Sequence, residues 1–169
     1  MKGVGSVKEN LRAERRISIT PETAKKLIDL KFNVFIEQGY GSHLGIADEE
    51  YKNLGVNLLS SAKEVLEESE IILNVDCPTD ENLNLIKGKS ILIGQFDPFL
   101  NKEIINKMIK KGLKIFSLNL LPRITRAQSM DVLSSQANLA GYRAVIESIE
   151  QFDKAIPMMM TAAGTITPA

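Results

Sequence analysis

The chain has 169 residues, with 21 Lys+Arg balancing 21 Asp+Glu, so no overall field favours nucleic acid or an anionic membrane surface. Its length and 44% hydrophobic content suit one α/β domain with a sizeable core and argue against a second complete one. The lone cysteine, Cys77, excludes an intrachain disulfide and any zinc site of several thiolates; no metal site is expected, and a reducing, cytosolic compartment is the natural setting.

Met1 to Gly5 shows no apolar signal segment, and no run approaches the ~18 residues of a membrane span. After a first strand, Lys8-Glu9, Arg12 and Glu14-Arg15-Arg16 form a charged loop, suited equally to an anionic substrate and to plain solvation. Thr20-Pro21-Glu22-Thr23 reads as a helix cap with proline in the first turn, and the apolar face that follows runs to Lys31. Val34-Phe35-Ile36 predicts a buried strand. Gly39-Tyr40-Gly41 fails as a dinucleotide loop, because Leu44 stands where glycine is required; a turn using glycine for positive φ is the better reading. His43, the only histidine, is expected on an exposed loop. A helix over Ser61 to Glu68 and a strand over Ile71 to Val75 follow. Cys77, between Asp76 and Pro78, has nothing beside it to activate a thiolate. A strand at Ile91-Leu92-Ile93, a helix from Asn101 to Lys111 with Gly112 as its stop, and a strand at Ile115 to Leu118 complete the alternation. Strands alternating with helices predict an α/β fold, a doubly wound parallel sheet of Rossmann or flavodoxin type.

From Arg126 to about Phe152, small or apolar residues (Ala127, Met130, Ser134, Ala137, Gly141, Ala144, Ser148, Phe152) recur every three or four positions. They predict a helix of about 40 Å that reaches towards another domain or subunit, with Gly141 marking a close approach. The expected organisation is an α/β domain over 1–125, the long helix over 126–152, and a linker over 153–169.

The stretch Pro122-Arg123-Ile124-Thr125-Arg126-Ala127-Gln128-Ser129-Met130-Asp131, continuing through Ser134 and Asn138, lies beyond the carboxyl end of the last strand, where open parallel sheets bind ligands. Thr125 to Gln128 reads as a capping box, with Asp131 complementing the helix dipole and placed to pair with Arg123 or Arg126. Capping leaves Arg123 and Arg126 unexplained, since cations are unfavourable at the positive end of a helix. A ligand site here is favoured over pure structure.

That stretch, with Leu133-Ser134-Ser135, Asn138 and Ala140-Gly141-Tyr142-Arg143, resembles the signature of the NAD(H)-binding alpha component of proton-translocating nicotinamide nucleotide transhydrogenases. Lys8-Glu9, Arg16, Thr20-Pro21, the turn Glu37 to Gly41, Glu70 to Val75 and Thr161 to Gly164 fit the same family. The resemblance implies a two-domain NAD(H)-binding unit, of which this would be the N-terminal domain, ending before the dinucleotide fingerprint of the second. It implies that Arg123, Gln128 and Asp131 are the functional trio at the nicotinamide, with Ser129, Met130 and Ser134 completing the cofactor-binding turn. It further implies direct hydride transfer from NAD(H) to NADP(H) on a partner component, coupled to proton translocation by a membrane component. The protein would then sit at the cytoplasmic face of the inner membrane through those partners, and a homodimer is compatible with the small-residue helix face. Alone, this fragment should be inactive.

Alanine dehydrogenases share the fold and much of the pattern. Asp76 and Asp97 stand where they carry a substrate lysine and a catalytic histidine, which argues against alanine oxidation; Arg16, matching their substrate arginine, is expected to lack partners. A non-catalytic interaction domain is the remaining alternative.

Overall fold

The computed structural model describes residues 2–167. The chain divides into two compact units, Met1–Pro122 and Arg123–Ala169.

In the first unit the strands are β1 (Gly3–Ser6), β2 (Asn33–Glu37), β3 (Asn57–Leu59), β4 (Ile71–Leu73), β5 (Ile91–Gly94) and β6 (Lys114–Ser117). They form one parallel sheet in the order β3-β2-β1-β4-β5-β6. The order reverses beside β1, so a topological switch point lies between β1 and β4. The helices are α1 (Pro21–Asp29), α2 (Asp48–Asn53), α3 (Ala62–Glu68), α4 (Asp80–Leu85) and α5 (Lys102–Lys110).

Helix ends follow local chemistry. Thr20 caps α1 by accepting from Thr23 N–H, with Pro21 in the first turn. Ser61 and Thr79 cap α3 and α4 in the same way. Gly112, at φ 75°, turns the chain out of α5.

Strand alternation divides the core in two. Val4, Val34 and Ile36 point to one face, where Ala24 of α1 and Tyr51 of α2 meet them. Ile72, Leu92 and Val7 point to the other, under Val65, Leu66, Leu83 and Met108 of α3 to α5. Helix α3 lies hard against β1: a Cβ at Gly5 would collide with the Ser69 hydroxyl and sit 3.0 Å from the Val65 side chain. The first face is covered over β1 to β3, but its continuation over β5 and β6 carries half-buried Ile91 and Ile93 and a Phe116 that is 56% exposed.

The second unit departs from the expected helix over 126–152. Thr125–Met130 is a 3-10 segment, and the α-helix, α6, spans Val132–Glu150, about 28 Å. Its physical cause is a better cap. The Asp131 carboxylate accepts from Ser134 N–H at 3.0 Å and from Ser134 Oγ at 2.6 Å, whereas Thr125 and Gln128 form no capping box. No residue of α6 is buried, and a Cβ at Gly141 would touch nothing, so the expected close approach there is not made among the described residues. The stretch expected to be a linker contains an antiparallel hairpin, β7 (Met159–Thr161) with β8 (Gly164–Ile166). Thr161 Oγ1 donates to the Gly164 carbonyl at 2.9 Å, fixing its turn.

Candidate functional site

The residues singled out at the loop, Arg123, Gln128, Ser129, Met130, Asp131 and Ser134, all fall on the 3-10 segment, its entry and the first turn of α6. Asp131 is at the junction. Its two oxygens hold the Ser134 amide and hydroxyl, and these bonds, with a lesser contribution from the Arg123 charge, lower its carboxyl below the ordinary range. Asp131 pairs with serine and not with Arg123 or Arg126: among the described residues no ion pair joins it to either. The side chains of Arg123, Gln128, Ser129 and Met130 are exposed, while Ala127 between them is buried. No side-chain hydrogen bond involves Arg123 or Gln128 among the described residues, which leaves a guanidinium and an amide with full bonding capacity beside an ionised carboxylate.

This donor set fits a nicotinamide carboxamide. Such a group needs one acceptor for its N–H₂ and one donor for its carbonyl; Gln128 offers both, and Arg123 supplies further donors.

A second constellation occupies the carboxyl edge of the sheet in the first unit. Glu9 Oε1 accepts from Val75 N–H at 2.6 Å and from Asn74 Nδ2 at 3.4 Å, strapping the segment after β1 to the end of β4 across the switch point. Burial pushes the Glu9 carboxyl above its ordinary value, although the Val75 and Asp76 backbone amides oppose the rise. Arg16, left without the lysine and histidine that accompany it in alanine dehydrogenases, is tied within this chain. Its Nε and Nη2 reach Glu14 at 2.9 and 2.6 Å, and Nη2 reaches Gln95 Oε1 at 3.4 Å. The bidentate pair keeps Glu14 low in pKa and holds the guanidinium of Arg16 to this chain.

Tyr40 was not legible as an anchor. Its Oη accepts from Ser18 N–H at 3.0 Å and Ile19 N–H at 3.2 Å, so its own proton goes to Ser6 Oγ, 2.6 Å away. Tyr51 Oη donates to the Ile19 carbonyl at 2.8 Å, so the two tyrosines satisfy both backbone groups of Ile19. The signal available in sequence was the rarity of tyrosine here, three in the chain, two of them flanking turns.

His43 is half-buried, not exposed, and its Nε2 donates to the Arg15 carbonyl at 2.7 Å. Gly39 has φ 70°, as a turn demands, and its amide donates to the Asp48 carboxylate. Cys77 Sγ donates to the Phe96 carbonyl at 3.3 Å, and burial pushes its thiol up to about 11. At pH 8 its thiolate fraction is then about a hundredth of an ordinary cysteine's. Iodoacetamide is expected to alkylate Cys77 in the folded protein about a hundredfold more slowly than in urea, followed by mass spectrometry; equal rates would contradict the burial argument.

Among the described residues, no three His, Cys, Asp or Glu side chains group to hold a metal, and no helix is long and apolar enough to cross a membrane.

The family model for "Alanine dehydrogenase/PNT, N-terminal domain" matches residues 5–140. The chain belongs to that family. Within it, the first part of the NAD(P) transhydrogenase subunit alpha of Rhodospirillum rubrum is 42% identical over 168 residues, covering 96% of this chain and 44% of the relative. The crystal structure of transhydrogenase from Sinorhizobium meliloti superposes with a TM-score of 0.92 at 43% identity, over 99% of this chain and 50% of that one. Alanine dehydrogenase of Methanococcus maripaludis is more distant, 29% identical over 155 residues, 89% of this chain and 40% of the relative. The chain thus spans about half the length of these relatives, and its sheet is the Rossmann-like α/β fold of the N-terminal portion of the transhydrogenase alpha subunit.

Proposed function

We propose that the chain is the first domain of the NAD(H)-binding component of a proton-translocating NAD(P) transhydrogenase, and that the segment from Arg123 to Ser134 orients the nicotinamide. The observation that carries this reading is the ionised Asp131 at the start of α6, with the unengaged Arg123 and Gln128 side chains on the same short segment. NAD(H), when bound, supplies the hydride. The chain supplies orientation and charge: Gln128 and Arg123 grip the carboxamide, Asp131 and Ser134 fix the turn that presents them, and Ser129 and Met130 complete its wall. The proposed organisation is an α/β domain, a connecting helix, and a C-terminal stretch leading to a dinucleotide-binding domain. The proposed partners are an NADP(H)-binding component and a membrane component, which would hold the protein at the cytoplasmic face of the inner membrane; a homodimer is compatible with the exposed face of α6.

The alanine dehydrogenase reading is disfavoured by chemistry at the switch point. A 2-oxo acid needs cations there, yet Asp76, Asp97 and Glu9 bring carboxylates and Arg16 is committed to Glu14. The test joins these 169 residues to a dinucleotide-binding domain and adds an NADP(H)-binding component. Reduction of an NADP analogue by NADH is the expected result. NADH formation dependent on alanine, with no transhydrogenation, would overturn the proposal.

A further inference from the structure

The amino edge of the sheet, opposite the carboxyl edge that carries Glu9 and Arg16, holds a cavity of about 350 Å³. Its setting comes from the topology. The amino ends of β1, β4, β5 and β6 line up there, joined by Glu70 N–H to the Gly3 carbonyl, Ile91 N–H to the Glu70 carbonyl and Lys114 N–H to the Ser90 carbonyl, at 2.9 to 3.0 Å. Ile71 and Ile91, on the incompletely covered sheet face, give it an apolar floor.

Charge distinguishes this cavity from an ordinary solvated edge. Lys2, Lys87, Lys89 and Lys114 line it, and Glu70 is the one carboxylate among them. The whole chain is neutral, so four cations to one anion around one hollow is a local imbalance. Neighbouring lysines are tied: Lys107 to Asp80, and Lys111 to the carbonyls of Leu83 and Asn84. The four cavity lysines form no hydrogen bond or ion pair through their ammonium groups among the described residues. Lys89 is held on the rim at φ 73°, in a turn closed by Ser90 N–H and the Lys87 carbonyl. Ser90, 6% exposed, adds a hydroxyl to the lining. Four like charges facing one hollow repel one another unless an anion lies between them.

We propose that this cavity, lined by no residue of the Arg123–Ser134 segment, is a binding site for a small multivalent anion of the phosphate class. Lys87, Lys89 and Lys114 meet the anion's oxygens, Lys2 closes the charge from the residue before β1, and the isoleucine floor accommodates an organic body where the anion carries one.

The 169-residue chain is titrated with inorganic pyrophosphate, and separately with adenosine 5′-diphosphate, in about 0.1 M chloride while amide resonances are followed by NMR. Saturable shifts at Lys89, Ser90, Ile91 and Lys114 are expected, with a midpoint of about 1 mM or below, and Lys89→Glu/Lys114→Glu should raise that midpoint about tenfold or more. Lys110→Glu, on the outside of α5, should leave it unchanged while altering net charge in the same direction. Pyrophosphate binding as tightly as the nucleotide assigns recognition to the phosphates; tighter nucleotide binding at the same amides assigns a part to the apolar floor. Shifts that are linear in ligand, that spread over all surface lysines, or that persist in the double variant would overturn the site.

Discussion

Tyr40→Phe is expected to destabilise the first unit by about 2–4 kcal/mol, because one missing oxygen leaves three polar groups without a partner. The phenol lies 1% exposed and serves Ser6 Oγ, Ser18 N–H and Ile19 N–H together. Its ring also packs edge-on against Tyr51 at a centroid distance of 6.2 Å. Removing the hydroxyl strands at least the fully buried Ile19 amide, since no water reaches a residue with no exposed surface. Tyr40→Ala adds loss of the ring, about 3–5 kcal/mol on its own, and against a typical total of about 5–15 kcal/mol it is expected to unfold the unit. Urea unfolding monitored by circular dichroism checks both. A loss below about 1 kcal/mol for Tyr40→Phe would show that the Ser18–Ile19 strap is held by other means.

On the proposed function, Asp131→Asn in the assembled protein is expected to slow hydride transfer by roughly tenfold to a hundredfold while changing NADH affinity less than about threefold. Asparagine caps a helix as well as aspartate does, so its one carbonyl oxygen keeps the bond from Ser134 N–H and the start of α6, while the charge is removed and the Ser134 hydroxyl, which donated to the second oxygen, must turn to accept from the new N–H₂. Asp131→Ala removes the bonds to Ser134 as well, and is expected to fray the first turn of α6 and to weaken binding. Stopped-flow rates and equilibrium binding, measured on the same preparations, separate the two effects. Equal loss of rate and affinity in Asp131→Asn would reduce the segment to an anchor.

The alternating apolar runs made β2, β4, β5 and β6 legible, because buried parallel strands are short, continuous and β-branched. The cap at Thr20 was equally legible, since an oxygen three residues before a free amide is a local matter. Strand β3 was not: Asn57-Leu58-Leu59 is too short to show a period, and it exists because β2 offers it an edge. The start of α6 was misread for a related reason. Thr125 and Asp131 are both competent caps, and composition alone does not rank a 3-10 turn followed by Asp131 against one continuous helix. At the candidate site, residue types were visible in the sequence, but the engagement of Asp131 by Ser134, and of Arg16 by Glu14, emerged only from geometry.

The position of β1 has a consequence for synthesis. It is made before the other strands of its sheet, yet it lies in the interior of that sheet, between β2 and a β4 that begins at Ile71. At a translation rate of about 5–20 residues per second, one edge of β1 waits several seconds for its permanent neighbour. A strand left open that long invites pairing with another nascent chain. Four residues, two of them glycine, make β1 a poor template for such pairing, and the glycines required by α3 thereby also guard the ribosome-bound chain.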